Sequence, residues 1–243
     1  MGTDAFHLLK RHGEHLLCHL LPPRCLLCGA PGEKLDLCAA CRDEIPLNTI
    51  CCGSCALPLD VAAAQCGACL VRAPRWDSAW APFRYGWPLD RLESRYKFSG
   101  HLAAGRVLGR LWAAHPLPAR PDLIVPVPLH HGRLRQRGYN QSLELARVLA
   151  RAHGLDLRHD LLRRVRPTTQ QTRLSAVQRR RNVRGAFQLA HGDGLPRHVA
   201  VIDDVMTTGA TLNECARVLK RGGVEQVDVW ALARAPQSRA RQG

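Results

Sequence analysis

The chain has 243 residues, 46% of them hydrophobic, enough for one full α/β domain with something smaller beside it. Its net charge of +15, carried almost wholly by arginine, points to polyanionic partners: nucleic acid or a pyrophosphorylated substrate. Aromatics at 5% are too few for an extended base-stacking platform, and no apolar run approaches the roughly 18 residues of a membrane helix.

Residues 4–21 carry Phe6, Leu8, Leu9, Leu16, Leu17, Leu20 and Leu21, the pattern of an amphipathic helix that packs on the body of the protein. Lys10, Arg11 and Glu14 interrupt the stretch a signal peptide would need, so a cytoplasmic protein without membrane insertion is expected. Four C-x-x-C pairs follow: Cys25/Cys28, Cys38/Cys41, Cys52/Cys55 and Cys66/Cys69. Each pair aims two thiolates at one point, and two pairs supply the tetrahedral sulfur cage that Zn²⁺ prefers. Nine residues separate the first two pairs and ten the last two, so the block reads as a repeated unit and two structural zinc ions are expected. Sequential ribbons follow from that repeat, although interleaved ligation fits the spacing too, and Cys51 stands beside Cys52 as an alternative ligand. A reducing compartment argues against disulfides. Such ribbons bind nucleic acid, bind protein or pad a neighbouring domain, and no basic–aromatic face between residues 25 and 70 chooses among these.

Leu70 to Arg75 reads as a short boundary, giving domains at 1–72 and 73–243. Beyond it strand and helix patterns alternate, as in a parallel sheet covered by helices. Strands are expected over 79–85, 122–127 and 226–233, and helices over 89–97 and 103–114 and from the cap Asn140 to His153. Two basic loops interrupt the pattern. In Pro126 to Gln141, Arg133, Arg135 and Arg137 alternate, so an extended chain would point all three the same way, and guanidinium forks suit phosphate oxygens. Arg163 to Phe187 holds eight arginines, among them Arg173, Arg179, Arg180, Arg181 and Arg184, and reads as a lid or arm without a core of its own.

Next comes V-A-V-I-D-D-V-M-T-T-G-A-T-L, Val199 to Leu212. A β-branched run ends in two carboxylates, Asp203 and Asp204, before the turn Thr207-Thr208-Gly209-Ala210-Thr211 and a helix that stops at Gly222-Gly223. Free N–H groups at a helix N-terminus favour a phosphate dianion, threonine hydroxyls add donors, and glycine lets the backbone come close. Carboxylates beside such a cradle would repel bare polyphosphate and instead suit hydroxyls, so the demand is that of a sugar phosphate. No Gly-Lys-Ser/Thr occurs anywhere, which leaves ATP hydrolysis unsupported.

Val199 to Leu212 resembles the phosphoribosyl pyrophosphate (PRPP) signature of type I phosphoribosyltransferases. The resemblance implies that Asp203 and Asp204 hold ribose hydroxyls and that Thr207, Thr208, Gly209, Ala210 and Thr211 hold the 5′-phosphate. It further implies Arg133, Arg135 and Arg137 on the pyrophosphate, Mg²⁺ bound with PRPP, and a lid from the second basic loop. Over nearly its whole length the sequence is similar to the ComF family of competence-associated proteins, which join a double zinc ribbon to a phosphoribosyltransferase-like domain. The blocks that carry this are Lys97-Phe98-Ser99-Gly100, Val125 to Pro128 with Arg133 to Gln141, Thr169, Gln170, Leu174, Arg180, Asn182 and Phe187, and Asp203 to Thr211.

The fold class expected is therefore α/β, a type I phosphoribosyltransferase-like parallel sheet flanked by helices after a small double zinc ribbon. The family implies a role in DNA uptake during natural transformation, with PRPP, single-stranded DNA and competence-machinery proteins as partners. Nucleic acid is assigned to Arg173, Arg179, Arg180, Arg181 and Arg184. An alternative is an active phosphoribosyltransferase with a nucleobase or amine acceptor and no DNA role, with Asp203 and Asp204 in its catalytic site. A pure assembly scaffold would bind neither PRPP nor DNA. No acceptor pocket and no general base stand out in the sequence.

Overall fold

The computed structural model describes residues 23–32, 35–98, 100–167, 176–190 and 194–236. The amphipathic stretch at 4–21, Ser99, Thr169, Gln170, Arg173 and Leu174 lie outside the described residues. The chain divides into two compact units, Met1–Ile45 and Pro46–Gly243.

The first unit is a cysteine knuckle. Gly29 N donates to the Cys25 carbonyl at 2.9 Å and Cys25 N to the Ala30 carbonyl at 2.8 Å, turning the chain tightly around the first C-x-x-C. Cys38 caps the short helix α1 (Ala39–Asp43), its Sγ accepting from Cys41 N.

The second unit opens by repeating that knuckle. Ala56 N donates to the Cys52 carbonyl and Cys52 N to the Leu57 carbonyl, each at 2.8 Å, and Cys66 precedes α2 (Gly67–Val71). Gly29 and Ala56, at matching places in the two turns, both take positive φ, 78° and 53°. The repeat read from cysteine spacing is thus a repeat of backbone hydrogen bonds.

The sheet follows. Its strands are β1 (Ser78–Trp80), β2 (Phe83–Arg84), β3 (Leu123–Pro126), β6 (His198–Met206) and β7 (Gln226–Arg234), in spatial order β1-β7-β6-β3, with β2 also on β7. All pairings are parallel. β6 and β7 lie in the middle and are buried along most of their length, which is why Val199–Ile202 and Val229–Ala233 read as continuous apolar runs rather than alternating ones. On one face Val125, Val199, Val201, Val227 and Val229 pack with Leu212, Cys215 and Leu219 of α8 (Ala210–Arg221). On the other, Trp80 lies 5.5 Å from the ring of Trp230 and 5.9 Å from Trp112 of α4 (Leu102–Ala113). Burying both faces removes several hundred Å² of apolar surface from water, at roughly 25 cal/mol per Å².

The same face holds α3 (Leu89–Phe98) and α6 (Gln141–His153). Asn140 Oδ1 accepts from Ser142 N at 3.1 Å to start α6, as its sequence position predicts, and Gly154 ends it at φ +61°. Tyr96 stacks on Tyr139 at 5.3 Å, and Tyr139 Oη donates to the Tyr96 carbonyl, so the end of α3 meets the start of α6. The two sequence blocks around Lys97 and Asn140 are thereby brought together.

Both basic loops carry regular structure among their described residues. The first contains α5 (His131–Arg137), started by His130 Nδ1 accepting from Gly132 N and closed by Gly138 at φ +82°. The second is anchored at both ends: β4 (Leu162–Arg164) pairs antiparallel with β5 (Phe187–Leu189), and α7 (Ala176–Val183) precedes β5. Leu161, Leu162, Val183, Ala186 and Phe187 are buried in the main core. The expected coreless arm is corrected in this respect: a few apolar residues set among arginines suffice to root it. No helix among the described residues is long and apolar enough to cross a membrane.

Candidate functional site

Each tetracysteine group closes on itself. The Sγ atoms of Cys25, Cys28, Cys38 and Cys41 lie within 4.8 Å of one another, as do those of Cys52, Cys55, Cys66 and Cys69. The Cys28–Cys38 and Cys55–Cys66 sulfurs stand 3.7 and 3.8 Å apart, close to the roughly 3.8 Å edge of a tetrahedron with Zn–S bonds of about 2.3 Å. Both donor sets fit Zn²⁺, and ligation is sequential, with Cys52 rather than Cys51 in the second set.

The second candidate site is a cleft of about 360 Å³ at the carboxyl ends of β3 and β6, where open α/β sheets place their ligands. Asp203, Asp204, Thr207, Gly209, Ala210, Thr211, Arg133 and Arg137 line it. The acids do not end the strand: β6 continues through Met206, with Asp203 opposite Ala231 and Val205 opposite Ala233 of β7. That pairing fixes their backbone, so their carboxyl groups are presented from a rigid element. Asp203 Oδ1 accepts from Ser142 Oγ at 3.0 Å, and Lys97 Nζ lies 3.0 Å from Asp204 Oδ2. Lys97 also pairs with Glu93 one turn back on α3. Gly209, at φ +70°, precedes α8, and Thr208 Oγ1 accepts from Ala210 N at 3.4 Å. The turn therefore delivers the first amides of a twelve-residue helix to the cleft.

The electrostatics are those of a crowded buried cluster. Burial, and then the neighbouring Asp204 carboxylate, push Asp203 up to about 7, against the pull of Lys97 and the Ser142 hydroxyl. Burial likewise raises Glu93 to about 7 despite Lys97. Burial opposes the Lys97 charge, but Asp204 and Glu93 outweigh it and hold the ammonium above the ordinary lysine value. Among the guanidinium groups of the cleft, burial and then Arg137 lower Arg133, while burial and then Arg133 lower Arg164 against the pull of Asp203. Acids and guanidinium groups lining one cleft match a ligand that carries both hydroxyls and anionic oxygens.

Comparison with known proteins agrees with this layout. The double zinc ribbon domain family matches residues 16–70 and the phosphoribosyl transferase domain family matches residues 140–242. Competence protein F of Haemophilus influenzae is 39% identical over 223 residues, covering 87% of this chain and 97% of that protein. DNA utilization protein YhgH of Escherichia coli K12 is 35% identical, covering 88% of this chain and 98% of that protein. The chain belongs to the ComF family. The competence protein ComFC of Streptococcus pneumoniae is 29% identical over 63% of this chain and 67% of its own length.

Within this ComF-family chain, the expectation that Arg133, Arg135 and Arg137 share one side of an extended loop is corrected. They lie on α5, where residues four apart share a face, so Arg133 and Arg137 line the cleft while Arg135 is exposed. Thr208 belongs to the turn but does not line the cleft. Arg179, Arg180 and Arg181 fall on α7, and both Arg181 and Arg184 are exposed to solvent. The arm's root is pinned to α8: Gly185 N donates to Glu214 Oε1 at 2.6 Å, while Arg217 grips the same carboxylate at 2.7 and 2.9 Å.

The cleft residues without a site role assigned from sequence include Glu93, Lys97, Ser142 and Arg164. Glu93 and Lys97 carry a signal in their i,i+4 spacing, and Ser142 in its place within the first turn of α6. Arg164 carries none, because one arginine among eight in the arm gives no hint that it lines the cleft.

Proposed function

We propose that this chain binds PRPP in the cleft, and single-stranded DNA along its basic arm, and acts in DNA uptake. The observation that carries the first part is the conjunction, in one cleft, of the Asp203–Asp204 pair with the glycine-started helix N-terminus and the Arg133–Arg137 face. Ribose hydroxyls would lie on the acids, the 5′-phosphate on the amides of the 208–211 turn, and the pyrophosphate against the guanidinium groups. Asp203 and Asp204 are already engaged by Ser142 and Lys97, so Mg²⁺ is expected to enter on the pyrophosphate, whose charge it neutralises. The names of the relatives, competence protein and DNA utilization protein, support the DNA role.

The first test is calorimetric titration of PRPP with Mg²⁺ into wild type and into the double variant Asp203→Asn/Asp204→Asn. Binding by wild type and its loss in the folded variant is the expected result; no binding by zinc-replete wild type removes the reading.

One observation favours turnover as a second reading. Glu93, which lines the cleft and which burial pushes up to about 7, is matched to take a proton from an amine or nucleobase acceptor as its nitrogen bonds to the ribose anomeric carbon and pyrophosphate leaves. Pyrophosphate release would then be at least about tenfold slower in Glu93→Gln. PRPP binding without pyrophosphate release across amine and nucleobase acceptors would leave the chain a binding protein.

A further inference from the structure

Arg234, the last residue of β7, is 5% exposed, and its partners are carbonyl oxygens. Its Nε donates to the Cys55 carbonyl at 3.0 Å. Its Nη1 donates to the carbonyls of Met206 at 3.0 Å and Ala235 at 2.9 Å, and to that of Thr207. One rigid guanidinium therefore joins a cysteine of the second tetracysteine site to the two residues that open the phosphate turn. Lysine could not reproduce that fork.

Trp76 makes a second tie. Its indole Nε1 donates at 2.7 Å to the carbonyl of Ser54, between Cys52 and Cys55. Its ring lies so close to Gly209 that a Cβ there would stand 2.8 Å from Cη2. A third tie runs from Arg75 N to Asn213 Oδ1, at 2.8 Å, in the first turns of α8. Both ends of the turn that delivers the α8 amides are thus held by the second knuckle and the chain leaving it. The knuckle's cysteines and Trp76, Met206 and Ala210 share one apolar cluster.

We infer that the second zinc site is a support of the phosphate turn, with Arg234 and Trp76 as positioning residues. Zinc on Cys52, Cys55, Cys66 and Cys69 fixes the Ser54 and Cys55 carbonyls, and through them the anion-binding shape of Met206 to Gly209. Zinc retention and ligand binding at the turn are then linked, and the linkage is reciprocal. The ligand's identity rests on the PRPP reading; the coupling of knuckle to turn does not.

The test uses the full zinc-replete chain. Hydrogen exchange is followed across residues 207–211 before and after zinc is withdrawn by a chelator, with the β6 and β7 amides as internal reference. The expected result is exchange about tenfold faster in the turn while the strands stay protected. Unchanged exchange in the turn overturns the inference whether or not PRPP binds. Faster exchange there, together with no PRPP binding by zinc-replete protein, sinks the PRPP reading and leaves the coupling standing. Should zinc withdrawal unfold the strands as well, Arg234→Lys decides. That variant should keep its zinc and bind PRPP about tenfold more weakly, with the turn exchanging faster. Wild-type exchange in its turn overturns the proposal. In wild type, saturating PRPP should slow zinc loss from one of the two sites, and equal loss in protein that binds PRPP also counts against the coupling.

Discussion

At the scale of single residues, the cleft is governed by what burial does to charge. Burial, and then the Asp204 carboxylate, push Asp203 up to about 7, although Lys97 and Ser142 favour its ionised form. Other charged groups around it are Glu93, Arg133, Arg137 and Arg164. A folded-state pKa above the ordinary carboxylate value of about 4 means that the native protein binds the extra proton. Asp203 therefore lowers stability as pH rises from about 4 to 7, and Glu93 acts in the same direction. Ligand hydroxyls need the ionised acid, so PRPP affinity should rise with pH through about 7, by up to tenfold per unit below it. Calorimetry between pH 5.5 and 8.5 checks this. Asp203→Asn should flatten the profile, and an equally steep profile in that variant would assign the proton elsewhere.

At the scale of elements, α5 converts an alternating arginine pattern into a two-sided one. Arg133 and Arg137, one turn apart, face the cleft, whereas Arg135 faces solvent. Replacing Arg133 or Arg137 by alanine removes a charge-assisted fork, on the order of 1.5–3 kcal/mol, so PRPP affinity should fall by about tenfold or more. Arg135→Ala should change it by less than about threefold, because an exposed cation contributes little at physiological salt. Equal losses for Arg133 and Arg135 would mean that the segment binds in an extended form. The alternation was legible in the sequence, but the choice between strand and helix periodicity was not: seven residues with a single leucine carry no apolar period. His130 and Gly138 settle it by capping both ends.

At the scale of the whole molecule, 35 basic residues against 20 acidic ones make a long-range attraction for polyanions. Single-stranded DNA binding should weaken with salt by about 0.7 log units per phosphate contacted, in log–log form. Replacing Arg179, Arg180 and Arg181 together by alanine should flatten that slope by about two units if all three make contact. An unchanged slope would move the DNA path off α7. The measurement is a fluorescence titration of a labelled oligonucleotide at four or more salt concentrations.

The sequence by itself determined the four C-x-x-C knuckles, the helix-covered parallel sheet and the position of the acid pair and the glycine turn, while the grouping of the cysteines into two sets came from the structure. Each is written in local spacing: C-x-x-C sets a knuckle, an apolar run followed by acids and a glycine turn sets a strand and a helix start. Tertiary structure alone decided what surrounds them. Lys97, Ser142 and Arg164 reach the acids or line their cleft from three different elements. Arg234 joins Cys55, 179 positions away in the chain, to the turn. Partners that far apart leave no periodic trace, because their meeting depends on how strands align and helices pack rather than on any neighbour in the chain.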